Sequence, residues 1–153
     1  KGLMAITNNL NIANILMQSE DAEVLIAGGI ARRPDGGIIG AATVDFIRQF
    51  KVDYAIIGVS AIDEDGSLLD FDYREVRVSK VILEQARNVI LVTDSMKFER
   101  RAPVRIGDIS NVHTLVTDKE PPKAIADLCK MHNVQLVVAE TEMALGETGV
   151  PQG

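Results

Sequence analysis

Tryptophan is absent from this 153-residue chain, histidine occurs twice and cysteine once, at Cys129. A single cysteine excludes an internal disulfide framework, and with His113 and His132 far apart in sequence no zinc-ligand spacing exists. Cys129 falls in a run with helical spacing, Ala124 to Met131, where a small buried thiol in a reducing, cytoplasmic setting is expected. No apolar run approaches the roughly 20 residues that a membrane helix requires, so no membrane partner is expected. Basic charge is also short: 16 Lys and Arg face 22 Asp and Glu, a formal net charge of −6. Such a surface repels phosphate backbones, so this stretch is not expected to hold DNA or RNA itself. Arg32-Arg33 and Arg100-Arg101 are isolated pairs that read as solvated loops.

What is present is apolar: 46% of residues are hydrophobic, enough for a globular core. Six short runs stand out: Leu3 to Ile6, Glu23 to Ala27, Tyr54 to Val59, Val89 to Val92, His113 to Val116 and Val134 to Val138. Most are rich in Val and Ile and continuous more than alternating, which predicts strands buried on both faces, as in a parallel sheet. Between them lie helical stripes: Leu10, Ala13, Ile15 and Leu16; Val44, Phe46, Ile47 and Phe50; Val78, Val81, Ile82 and Ala86; Ala124, Ile125, Leu128 and Cys129. Strands alternating with helices predict an α/β, three-layer Rossmann-like sandwich with a mostly parallel sheet. One domain is expected over residues 1–139. Residues 140–153 lose the periodicity and are expected to form a flexible tail. Lys1-Gly2 runs straight into a strand, so the chain reads as cut from something longer.

In such a sheet ligands sit outside the carboxyl ends of the strands. Thr7, Asn8 and Asn9 follow the first strand, and either asparagine caps the next helix, contacts a ligand, or does both. Gly28 and Gly29 follow the second, suited equally to close ligand approach and to tight turns. Gly58, Ser60 and the turn Asp63-Glu64-Asp65-Gly66 follow the third. Asp70, Asp72 and Glu75 then open a helix whose dipole favours acids. Beyond the fourth strand, Lys97 in Asp94-Ser95-Met96-Lys97-Phe98 reads as a partner for a phosphate or carboxylate, or as a solvated lysine. There is no Walker loop, dinucleotide fingerprint, nucleophile elbow or calcium loop, and no cofactor or metal is expected. With no histidine near the strand ends, any acid–base work falls to Glu75, Asp63 or Asp72.

Thr7 through Ala13, Ala27-Gly28-Gly29, Asp35 through Gly40, Gly66 through Arg77 and Asp94 through Phe98 together resemble the effector-binding domain of DeoR-family bacterial repressors. Met96 departs from that family's signature, and the resemblance runs from about Leu3 to Val138. It implies a fold similar to ribose-5-phosphate isomerase and glucosamine-6-phosphate deaminase. In those enzymes a Gly-x-x-x-x-Asp segment, an Arg-Glu pair opening a helix and a lysine build the site; Gly58 through Asp63, Arg74-Glu75 and Lys97 match them. It also implies a homo-oligomer and a separate winged helix-turn-helix, absent here, that carries operator DNA binding. The family's first strand and Gly-Thr-Thr phosphate loop are expected upstream, leaving the phosphate cradle here incomplete.

The expected function is non-catalytic sensing of a phosphorylated effector, glycerol 3-phosphate or a sugar phosphate. Its phosphate is expected near Thr7, Asn8, Gly28, Gly29, Gly58 and Lys97, and its hydroxyls near Asp63, Asp72 and Glu75. The rival is a sugar-phosphate isomerase or deaminase with Glu75 as general base. A plain oligomerisation domain is the third reading.

Overall fold

The first two apolar runs pair in parallel. β1 (Leu3–Thr7) lies beside β2 (Ala22–Ile26) with Leu3 opposite Ala22 and Thr7 opposite Ile26, and α1 (Leu10–Leu16) connects them. The glycine-rich stretch that follows folds back as a two-residue hairpin, β3 (Ile30–Ala31) against β4 (Ile38–Ile39), and leads into α2 (Ala41–Ile47). Next come β5 (Val52–Ile57), the short pair β6 (Ala61–Ile62) and β7 (Ser67–Asp70), α3 (Tyr73–Gln85) and β8 (Ala86–Thr93). A 3-10 turn at Ser95–Glu99 precedes β9 (Val104–Asp108), β10 (Thr114–Thr117), α4 (Lys123–Met131) and β11 (Gln135–Val138). This is a computed structural model, and it describes residues 2–139; the expected tail at 140–153 lies outside them.

The central sheet runs β11-β10-β8-β5, parallel throughout. A second sheet, β6-β7-β9, is antiparallel. Among the described residues the architecture is α/β with a parallel central sheet and four α-helices, consistent with a Rossmann-like sandwich. The main core gathers Ile57 of β5, Val89 and Leu91 of β8, Leu115 of β10, Val76 of α3, and Ile125 and Cys129 of α4. Leu68 of β7 and Ile106 of β9 close it from the antiparallel sheet. A smaller cluster joins Ala27 to Val44 and Ile47 of α2 and Val78 and Val81 of α3. So α3 is shared between the two cores. Cys129 is buried, as its helical position predicts.

Burial in the central strands alternates, which differs from the both-faces expectation. Ala55 and Ile57 are buried while Tyr54 and Ile56 are 65% and 72% exposed. Val92 of β8 and Val137 of β11 share that open side. The reason is geometric: α3, α4 and the antiparallel sheet all contribute to the one core that holds Ile57, Leu91 and Leu115. Two helix ends also shift. Phe50 lies beyond α2, and Ala86 starts β8, opposite Val52, instead of finishing α3. No helix of the described residues is long and apolar enough to cross a membrane.

Candidate functional site

The loops after β1 and β2 interlock. Asn9 caps α1, its side-chain oxygen accepting from the amides of Asn11 (2.9 Å) and Ile12 (3.1 Å). Thr7 Oγ1 accepts the Asn9 amide at 3.1 Å. The Asn8 side chain donates to the Ile38 carbonyl (3.0 Å), and its own carbonyl accepts the Ile38 amide (2.6 Å). Asn9 and Asn11 Nδ2 both donate to the Asp35 carbonyl, at 3.1 and 3.2 Å. Thus the cap falls on Asn9, and Asn8 binds the hairpin to the end of β1. Among the described residues no acceptor takes the backbone N–H of Asn8, Gly28 or Gly29.

The two glycines divide their work. The Gly28 carbonyl accepts the Thr43 hydroxyl at 2.6 Å, and a Cβ on Gly28 meets open space. Gly29 has φ 146°, and a Cβ there lies 2.6 Å from the Ile39 carbonyl oxygen. Only a residue without a side chain lets the hairpin start so close to β4.

The far side of that hairpin carries charge to the start of α3. Asp72 caps α3, accepting the Arg74 amide at 2.8 Å and the Arg74 guanidinium at 3.3 and 3.2 Å. Arg32, from the hairpin, places Nη1 against the Glu75 carboxylate and 3.6 Å from Asp35 Oδ2, with Nε 4.0 Å from Asp72 Oδ2. The sequence reading had Arg32 solvated; its side chain is only 25% exposed. Nη1 is buried against these carboxylates. Asp70 accepts from the Ser60 hydroxyl (2.8 Å) and the Phe71 amide (2.8 Å), tying the segment after β5 to this cluster. Four carboxylates (Asp35, Asp70, Asp72, Glu75) therefore gather around two guanidiniums (Arg32, Arg74). Burial pushes the Glu75 acid above its ordinary value, helped by the charge of Asp70 and opposed by Arg32. Hydrogen bonds from Arg74 hold Asp72 below its ordinary value.

Lys97 stands in a second group. Its ammonium lies 2.9 Å from Asp94, which also caps the 3-10 turn by accepting the Met96 amide at 2.9 Å. Asp118 accepts the Ser95 amide at 2.7 Å and fixes the turn to the end of β10. Gly58 sits beside the end of β8, with a Cβ 3.9 Å from the Val92 carbonyl. No hydrogen bond or ion pair among the described residues joins Lys97 to Glu75. Asp63 is farther from the cluster along β7. It forms the β6–β7 turn before Ser67, whereas Asp72 follows the other end of β7. Gly66 in that turn packs against Leu128 and Ile109.

The structure thus brings Thr7, Asn8, Gly28, Gly29, Asp72 and Glu75 together around one hairpin, sets Gly58 and Lys97 at the ends of β5 and β8, and leaves Asp63 apart. Sequence reasoning missed Arg32, Asp35 and the Ser60–Asp70 bond. The signal for Arg32 was its place between Gly29 and Gly36-Gly37, glycines that let a loop fold back.

Comparison with known proteins matches residues 1–119 to the DeoR C terminal sensor domain. The chain is 52% identical over 134 residues to the glycerol-3-phosphate regulon repressor of Escherichia coli (strain K12), covering 88% of this chain and 53% of that protein. It is 49% identical over 136 residues to the repressor of the same name from Haemophilus influenzae, covering 89% and 52%. The HTH-type transcriptional repressor GlcR of Bacillus subtilis is 28% identical over 137 residues, covering 90% and 53%. The chain spans about half the length of these curated relatives.

Proposed function

Because this chain belongs to the DeoR C-terminal sensor domain family, we propose that it senses a phosphorylated polyol or sugar and passes the signal to a DNA-binding part of a transcriptional repressor. The observation that carries this reading is the placement of the polar cluster. It lies past the carboxyl ends of β1, β2 and β5 and at the start of α3, where α/β sheets bind ligands. Relatives about half identical to it are named for the glycerol-3-phosphate regulon, which makes glycerol 3-phosphate the first effector to test, ahead of pentose and hexose phosphates. In this proposal the effector's phosphate meets the open N–H groups of Asn8, Gly28 and Gly29, donors of the kind that bind anions. Its hydroxyls meet Asp72 and Glu75, and Lys97 closes the site from the end of β8.

The effector changes DNA affinity only through a difference in its affinity for two arrangements of the repressor oligomer. Operator contact then belongs to the helix-turn-helix part, in the cytoplasm, and this acidic domain contributes none of it. The isomerase alternative has no support: the similar proteins are named as transcriptional regulators, most of them repressors.

Calorimetric titration of the full-length protein with glycerol 3-phosphate, ribose 5-phosphate and glucose 6-phosphate tests the reading. The expected result is saturable binding of one of them, with a change in operator affinity and no turnover. Absence of binding with all three overturns it, as does aldose–ketose turnover that Glu75→Gln abolishes.

A further inference from the structure

The Arg32 contacts cross from the β3–β4 hairpin to the start of α3. On one side the hairpin is pinned to α1 by neutral bonds from Asn8, Asn9 and Asn11. On the other, its ion pairs with the start of α3 are those of Arg32 with Asp72 and Glu75. Arg32 Nη1 is buried between two carboxylates, against Glu75 and 3.6 Å from Asp35 Oδ2. A guanidinium carries five N–H donors in a fixed fork that matches a phosphate better than scattered carboxylate oxygens. The carboxylates here outnumber the guanidiniums, so an anion that takes Arg32 competes with more than one acid for it.

We propose that Arg32 is the cation of the effector site and exchanges partners when the effector binds. Resting on the function proposed above, the exchange moves the guanidinium from Glu75 and Asp35 to the effector's phosphate. The effector's hydroxyls take the place it leaves on Glu75. The β3–β4 hairpin thereby loses its charged tie to α3 and keeps its neutral tie to α1. A ligand needs both ends to do this: the phosphate attracts Arg32 and the hydroxyls satisfy the carboxylate. Unphosphorylated polyols and bare phosphate each supply only half, which gives the site its selectivity for a phosphorylated polyol.

The test is a double-mutant cycle in the full-length protein, read by titration with glycerol 3-phosphate, with glycerol and inorganic phosphate as partial probes. Arg32→Gln should weaken glycerol 3-phosphate binding by about ten-fold or more, the range for losing a hydrogen-bonded charge partner. Asp35→Asn keeps the oxygen that accepts the Gly37 amide at 3.0 Å but removes one competing charge. It should tighten binding a few-fold, and only while Arg32 is present. Arg77→Gln, in the neighbouring hollow that Gly40, Val44 and Arg74 also line, should leave binding unchanged. Undiminished binding in Arg32→Gln overturns the exchange, and so does a loss in Arg77→Gln in its place. An Asp35→Asn gain that persists beside Arg32→Gln also overturns it, because the aspartate then acts only through its distant field. If Arg32→Gln fails to fold, Asp35→Asn alone decides, since weaker binding there contradicts a competing carboxylate. A wild-type protein that binds no phosphorylated probe fails the function proposed above, and the exchange with it. Wild-type binding that Arg32→Gln leaves intact fails the exchange alone.

Discussion

Leu91 and Leu115 sit at the centre of the parallel sheet with no exposure, while the hairpin around Arg32 buries Ile38 and Ile39 of β4 but is tied at its open end by amide–carbonyl bonds and ion pairs. The first region gains its stability from apolar area removed from water, at roughly 25 cal/mol per Å2. The open end of the second relies on contacts worth about 1 kcal/mol or less each, because water and counter-ions compete for the same groups. A binding element needs that second kind of attachment. A ligand offering hydrogen bonds and charge can replace polar contacts one for one, but it cannot substitute for a packed leucine. The division places rigidity in β5-β8-β10-β11 and responsiveness in the polar contacts among Asn8, Arg32, Asp35, Asp72 and Glu75.

The comparison is broken most directly by cutting the core. Leu115→Ala should cost about 2–5 kcal/mol, the range for removing a fully buried leucine, and urea unfolding measures it. A cost below about 1 kcal/mol would mean that the sheet is not where the stability lies. A smaller effect separates the paired glycines. Gly29→Ala forces a Cβ against the Ile39 carbonyl at positive φ and should cost more than about 1 kcal/mol. Gly28→Ala meets nothing and should be near neutral on the same curve. Equal effects at both positions would contradict the tight entry into the hairpin described above.

The sheet was legible because its strands are short, β-branched runs, and the cap of α1 was legible as one of two adjacent asparagines, Asn8 or Asn9, with Asn9 the one that caps. The antiparallel sheet was not. β6 is two residues long, and β9 mixes Val104 and Ile106 with Arg105 and Asp108, a pattern that also describes a loop. The alternating burial of β5 was hidden because Tyr54 and Ile56 are as apolar as the residues they alternate with. In the site, Asp72 and Glu75 were visible as acids opening a helix. Arg32 was not, because a pair of arginines in a glycine-rich loop reads as solvated and its partners on α3, Asp72 and Glu75, are remote in sequence. Asp63 belongs to the β6–β7 turn, at the opposite end of β7 from Asp72, a placement that sequence order does not show.

The smallest expected effect sharpens the contrast inside the site itself, where two neighbouring acids answer pH with opposite signs. Glu75 has its pKa raised from an ordinary 4.5, first by burial and then by Asp70. It therefore contributes stability that is whole below the unfolded value and is lost as pH rises through the folded one. Asp72 has its pKa lowered from an ordinary 3.8 by hydrogen bonds from Arg74. Its contribution is present above the unfolded value and is lost as pH falls through the folded one. Fixing each group in a neutral form separates them. Glu75→Gln should gain on the wild type between about pH 3 and pH 7, and Asp72→Asn, which can still cap α3, should lose ground over the same span. Urea unfolding of the three proteins at both pH values reads the two slopes. Slopes of the same sign would mean that the ion pair with Arg32 outweighs burial at Glu75. The carboxylate would then be as firmly held as Asp72, and an effector hydroxyl would have no easier access to one acid than to the other.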